Sequence, residues 1–265
     1  MSGVRLIQVP YHLGREGEVL GAGPAPLAHA IGGESVVVER PGEFQNEVKA
    51  VFDVVLALAA AVRETVDEGR FPLVLGGNCS SALGAVTGLD RDVGVVWFDA
   101  HGDFHTPDST PTGFLEGMVL ALLTGEGWSE LRRELRTVPP EQVVLVGARD
   151  FEPSEEERLA RSAITRADAG SLDPALDALA ERTDAVYVHI DLDVLDPSEG
   201  VANAWAAEGG LTAEKLGRAV DAIASRFEIV AATLSAYDPA VDAEGRIPRI
   251  AASLVPRLLP AEVRS

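Results

Sequence analysis

Apolar stretches of two kinds alternate along the chain. Short runs rich in β-branched residues are separated by longer segments whose apolar residues recur at helical spacing. Short continuous runs predict buried strands, and a three-to-four-residue recurrence predicts amphipathic helices. On this basis strands are expected at 4–10, 35–39, 71–75, 93–98, 141–146, 163–166, 185–190 and 229–234. Helices are expected at 26–31, 43–69, 114–123, 155–162, 172–182, 212–225 and 247–259. The longest helix carries Val48, Val51, Val54, Val55, Leu58 and Val62 on one face. Between strand 71–75 and a following helix, Gly76-Gly77-Asn78-Cys79-Ser80-Ser81 reads as a tight turn in which Ser80 is placed to cap the helix. The Gly-rich stretch 14–26 reads as a loop. Strand–helix alternation through the whole length predicts an α/β protein with a parallel sheet covered on both faces.

Two of the predicted strands end abruptly in acids. Val-Val-Trp-Phe at 95–98 runs into Asp99, His101 and Asp103, and the apolar run 185–190 into Asp191, Asp193 and Asp196. Polar groups just beyond the carboxyl ends of strands are where open α/β sheets place their sites. Asp99, Asp103, Asp191 and Asp193 brought together with His101 would repel one another unless a multivalent cation neutralised them. His189, inside its strand, reads as a satisfied core histidine.

Composition narrows the partners. The 265 residues carry 42 acidic against 22 basic side chains, a net charge of −20. Nucleic acid and anionic membranes are repelled by such a surface. Cys79 is the only cysteine, so no intrachain disulfide is possible. With no signal-like start and no apolar run of membrane-spanning length, the chain reads as a single cytoplasmic domain over 1–265 that acts on a small molecule.

Three motifs, in order, resemble those of the arginase/agmatinase/formiminoglutamase family, the ureohydrolases. Gly76-Gly77-Asn78-Cys79-Ser80 is similar to Gly-Gly-Asp-His-Ser, Asp99-Ala-His-Gly-Asp103 to Asp-Ala-His-x-Asp, and Asp191-Leu-Asp-Val-Leu-Asp-Pro197 to Asp-x-Asp-x-x-Asp-Pro. Thr106-Pro107 and Gly117-Met118 extend the likeness. The resemblance implies a three-layer α/β/α sandwich around a mostly parallel sheet of about eight strands, and a trimer or hexamer. It also implies one or two Mn²⁺ ions. Asp99 and Asp191 would bridge them, His101 and Asp193 would complete one site, and Cys79 and Asp103 the other. His105, Thr112 and Glu152 stand where the family holds the far end of its substrate. The implied reaction is hydrolysis of a C–N bond in a guanidino, hydroxyguanidino or related amidine compound by metal-activated hydroxide, with Asp103 and Glu116 in catalytic positions.

Three positions depart from the family pattern. Cys79 replaces a metal-ligand His and reads either as a softer ligand or as a small buried thiol. Glu116 replaces a proton-shuttling His; a general acid or base, a contact for a cationic substrate and an exposed helix acid are all compatible with the residue type. Ala236 stands where the family has a guanidinium-binding Glu; Tyr237 and Asp238 are nearby candidates for replacement contacts, and Asp238 equally for a turn. Cys79, with the stretch 102–120, resembles the Nω-hydroxy-L-arginine amidinohydrolase branch. The three losses also leave a second reading, a non-catalytic arginase-like protein with a degenerate metal site that binds a ligand or partner subunit.

Overall fold

The computed structural model describes residues 3–168 and 170–260. Its strands are β1 Val4–Val9, β2 Tyr11–His12, β3 Arg15–Glu16, β4 Ser35–Val37, β5 Phe71–Gly76, β6 Gly94–Phe98, β7 Val143–Val146, β8 Thr165–Ala167, β9 Ala185–Asp191 and β10 Glu228–Ser235. The helices are α1 Pro24–Ile31, α2 Glu47–Asp67, α3 Ser81–Gly88, α4 Val119–Leu123, α5 Ser129–Arg132, α6 Pro153–Arg161, α7 Leu172–Ala180, α8 Ala213–Ala224 and α9 Arg246–Leu258. Eight strands form one sheet in the order β4-β1-β5-β10-β9-β6-β7-β8, with every neighbouring pair parallel. β2 and β3 make a separate antiparallel hairpin.

The central strands are apolar on both faces because both faces are covered. Leu73, Val96, Phe98, Val188 and Ile190 pack with α1, α7, α8 and α9 on one side. Val74, Val95, Trp97 and Tyr187 pack with α2, α3 and α4 on the other. Successive residues of β6 thus alternate between two cores, as the period of a strand requires. Among the described residues no helix is long and apolar enough to cross a membrane.

Several boundaries differ from the sequence expectation, each for a local reason. The long helix starts at Glu47 rather than at 43, because the Asn46 side chain accepts a hydrogen bond from Lys49 N at 2.9 Å and caps it there. Part of the expected loop 14–26 is β3, the second strand of the hairpin, and the helix expected from 26 starts two residues earlier as α1, with Pro24 at its first position. The expected helix 114–123 is a 3-10 turn, Glu116–Met118, followed by the five-residue α4. Gly117 O accepts from His105 N at 2.9 Å, which ties this segment to the loop after β6. The Ser80 side chain does not cap α3. Its backbone N–H instead donates to Glu116 Oε2 at 2.8 Å, so an acid from a distant loop occupies that helix end.

Candidate metal centre and active site

The sheet order decides the site. β5, β10, β9 and β6 lie side by side although β10 and β9 come late in sequence, and all four run in the same direction. Cys79, Ala236, Asp191 and Asp99 therefore emerge along one edge. Phe98 pairs with Ile190, so the next residues, Asp99 and Asp191, leave the sheet together. Gly77 is required in the turn after β5, where a Cβ would stand 2.3 Å from Tyr11 O.

Beyond that edge lies a cavity of about 360 Å³. Cys79, His101, Asp103, Asp191 and Asp193 line its floor, and His105, Thr112, Glu116, Glu152 and Glu155 its walls. Every residue that the sequence assigned to the site borders this cavity except Asp99, which lies beneath it and is 1% exposed. Asp196 is not part of it. Its carboxylate is consumed in a turn, accepting from Ser198, Gly209 and Gly210, which holds its pKa down at about 2.

Two groups of donor atoms at the cavity floor are compact enough for an ion, and a third among the described residues, His105, Glu152 and Glu155, lies in its wall. Asp99, His101 and Asp193 form one floor group and Cys79, Asp99 and Asp191 the other, each with its ligand atoms within 4.8 Å of one another. His101 Nδ1 stands 3.3 Å from Asp99 Oδ1 and 3.4 Å from Asp193 Oδ2. Asp99 is fixed by Trp97 Nε1, which donates to its Oδ2 at 2.9 Å, and by His101 N at 2.8 Å. Asp193 accepts from Asn203 Nδ2 at 3.1 Å, and the same amide donates to Ala236 O at 2.9 Å. Such contacts outside a ligand set orient the ligands.

Burial first, then the charges of neighbouring acids, push the carboxyls of Asp103, Asp191 and Asp193 above the usual range. Burial lowers the His101 pKa, but the Asp99 hydrogen bond and the Asp193 charge outweigh it and bring the imidazole up to about 9. Packed carboxylates of this kind are what a divalent cation stabilises. Asp103 adds a second sign, since its Oδ2 is buried without a hydrogen-bond partner and its backbone is left-handed at φ 48°. The oxygen and imidazole donors of Asp99, His101 and Asp193 fit Mn²⁺. On the other side Cys79 Sγ donates to Asp191 Oδ2 at 2.9 Å, and burial followed by the Asp191 charge raises its pKa. That side fits a divalent cation once the thiol has lost its proton.

Glu116 is not an exposed helix acid. It is 5% exposed, burial raises its pKa to about 7, and its Oε1 has no partner. His105 Nε2 lies 3.0 Å from Glu152 Oε2, and Glu155 Oε1 accepts from Phe104 N at 2.9 Å behind them. Thr112 is exposed at the rim, and its hydroxyl accepts from Phe114 N at 3.2 Å. His189 is the core histidine expected: it is fully buried, stacked 3.7 Å from Trp97, and bonded to Tyr187 and Ser235. Tyr237 donates to Asp242, and Asp238 accepts from Ala240 N in a turn, so neither fills the space beside Ala236.

The sequence reading missed the mouth and the supports. Phe114 and Trp205 stack at 5.7 Å over the cavity, with His12 6.3 Å from Trp205. Asn203 and Trp97 hold the acids from behind. Trp97 was findable, since it lies two residues before Asp99 and so shares its face of the strand; Asn203 lies in an irregular loop that carries no periodic signal.

A model of the arginase family matches residues 18–259. The chain is 30% identical to an arginase of Bacillus caldovelox over 290 aligned positions, covering 96% of this chain and 97% of that one. It is 31% identical to an arginase of Staphylococcus aureus over 238 positions, covering 83% and 79%. The native structure of the Bacillus caldovelox arginase superposes with a TM-score of 0.85 at 30% identity, covering 97% of this chain and 98% of that chain. With the motifs at one sheet edge and the likeness spanning nearly the whole length, the chain belongs to the arginase family.

Proposed function

We propose that the protein is a metal-dependent amidinohydrolase that cleaves a C–N bond of a guanidino, hydroxyguanidino or related amidine compound. The observation that carries this reading is the gathering of Asp99, His101, Asp103, Asp191 and Asp193 beneath one cavity, with a protonatable Glu116 in its wall. Asp99, His101 and Asp193 would hold one cation, and Cys79 and Asp103, sharing Asp99 and Asp191, a second. Bound Mn²⁺ supplies Lewis acidity and lowers the pKa of a water.

The chain's own groups do the rest. Glu116, with a pKa of about 7, holds a proton at Oε1 near neutral pH and is suited to deliver it to a departing nitrogen. Asp103 Oδ2, without a partner, accepts a hydrogen bond or a cation at the floor. Glu152, beside His105, offers a carboxylate for a positively charged substrate end, and Thr112 a hydroxyl at the rim. Phe114 and Trp205 restrict water at the mouth.

Turnover with Mn²⁺ tests the reading, on a panel of arginine, agmatine, formiminoglutamate and Nω-hydroxyarginine. The last is included because Cys79 resembles the Cys-for-His exchange of the hydroxyarginine branch, although the relatives reported above are arginases and not members of that branch. Release of urea, hydroxyurea or formamide is expected from at least one substrate; no product from any, with metal bound, overturns it. The thiol of Cys79 bonded to Asp191 favours a second reading, a metal-poor and non-catalytic member of the family. Elemental analysis showing no bound metal after purification in Mn²⁺ supports that alternative.

A further inference from the structure

β7 ends at Val146, and Arg149 lies in the loop that follows it. Its half-buried guanidinium makes six hydrogen bonds, every one to a backbone carbonyl. Nη2 donates to Ala207 O at 2.7 Å, to Asp193 O at 3.0 Å and to Leu195 O at 3.4 Å. Nη1 donates to Gly147 O at 3.1 Å and Val194 O at 3.4 Å, and Nε to Glu208 O at 3.0 Å. Arg149 forms no ion pair among the described residues, although the chain holds 42 acidic side chains. The guanidinium is therefore engaged in fixing backbone rather than in neutralising a surface acid. A planar fork suits that task, because its donors point in fixed directions and each acceptor must keep its place for the others to fit.

The segments it joins all belong to the candidate metal centre. Arg149 N donates to Ala100 O at 2.8 Å, which ties the loop to the residue between Asp99 and His101. The Ala100 N–H in turn donates to Asp193 Oδ1 at 3.2 Å. Gly147, left-handed at φ 87°, lets the loop pass close to the Asp193 turn, where a Cβ would stand 2.7 Å from Val194 Cγ2. Ala207 and Glu208 close the stretch that carries Asn203, whose amide donates to Asp193 Oδ2. Asp193 is thus held at its carboxylate by Ala100 and Asn203, and at its carbonyl by Arg149. His101, with Nδ1 3.4 Å from the Asp193 carboxylate, adjoins the residue that the backbone of Arg149 holds.

We propose that Arg149 is a positioning residue for the metal centre. By clamping the Asp193 turn and the backbone at 207–208 against the Asp99–His101 segment, it keeps His101 and Asp193 at the separation that one divalent cation requires. Arg149 does not border the cavity, so it acts through these neighbours and touches no substrate. The inference rests on the reading of the cavity floor as a metal centre and names what holds that centre in shape.

The test is a Mn²⁺ titration of the full chain, followed by the electron paramagnetic resonance signal of the free ion, with Arg149→Lys and Arg149→Gln beside the parent. Fold is checked by circular dichroism and Tm in chelator. Both variants are expected to bind Mn²⁺ at least about tenfold more weakly. Arg149→Lys keeps the charge, but a single ammonium cannot span carbonyls on three segments. Charge acting alone has the opposite sign: Arg149→Gln, which removes a cation near the ion, would then bind more tightly, and Arg149→Lys would match the parent. Either variant binding as tightly as the parent therefore overturns the proposal, even with a lowered Tm, since the clamp is then structural only. Should one variant not fold, the other decides; failure of both to fold overturns the proposal in the same way. A parent that binds no Mn²⁺ overturns the metal-centre reading itself, whereas equal binding by parent and variants removes only the role of Arg149.

Discussion

Glu116 offers the sharpest test, because one buried group controls both stability and chemistry. Its side chain is buried in the cavity wall, and burial moves its pKa from 4.5 to about 7 against the opposing pull of the Ser80 N–H. A carboxyl raised on folding favours the folded state while protonated. That advantage is complete below pH 4.5 and is lost as pH rises to about 7, beyond which the buried charge carries the full penalty. The gap between 4.5 and about 7 corresponds to about 3 kcal/mol. Glu116→Gln keeps an acceptor for Ser80 N and removes the charge. In chelator-dialysed protein, urea unfolding of the parent and Glu116→Gln should agree in pH dependence up to about pH 5 and then diverge. By pH 8 to 9 the variant should have gained about 3 kcal/mol on the parent, roughly 6 to 12 °C in Tm. Added Mn²⁺ should shrink the divergence, because nearby cations stabilise the carboxylate. A difference between the two proteins that stays flat from pH 5 to 9 refutes a raised pKa at Glu116, and with it the proton-donor role.

Other consequences are independent of that group. Cys79→His should raise Mn²⁺ occupancy on the Asp103 side, read by elemental analysis after dialysis against limiting metal; unchanged stoichiometry and affinity would mark the thiol as structural. Asn203→Ala, which removes the amide shared by Asp193 and Ala236 O, should weaken metal binding about 10- to 100-fold with little change in fold by circular dichroism. Gly84→Ala should destabilise the protein by about 1 to 3 kcal/mol in urea, because the new Cβ would stand 2.6 Å from Val55 O where α3 crosses α2.

Much of this protein is legible in one dimension. Buried parallel strands must be apolar on both faces, so runs such as Val95–Phe98 announce themselves, and the acids that terminate them mark the sheet edge where chemistry belongs. The element order and the placing of Asp99, His101, Asp103, Asp191 and Asp193 at one sheet edge were therefore readable from local pattern and motif. Element ends were less so, because they are set by single hydrogen bonds such as Asn46 to Lys49 N.

Tertiary structure alone decided which acids act together. Asp191, Asp193 and Asp196 look equivalent in sequence, yet a turn absorbs the third while the sheet carries the first two to Asp99. The same holds for Glu116. By residue type it would suit a solvated helix face, and only the docking of its loop on the start of α3 buries it and moves its pKa into the neutral range. Local sequence determines secondary structure and the chemical identity of a side chain. Desolvation and distance, which set its charge and partners, arise only when segments far apart in the chain are packed together.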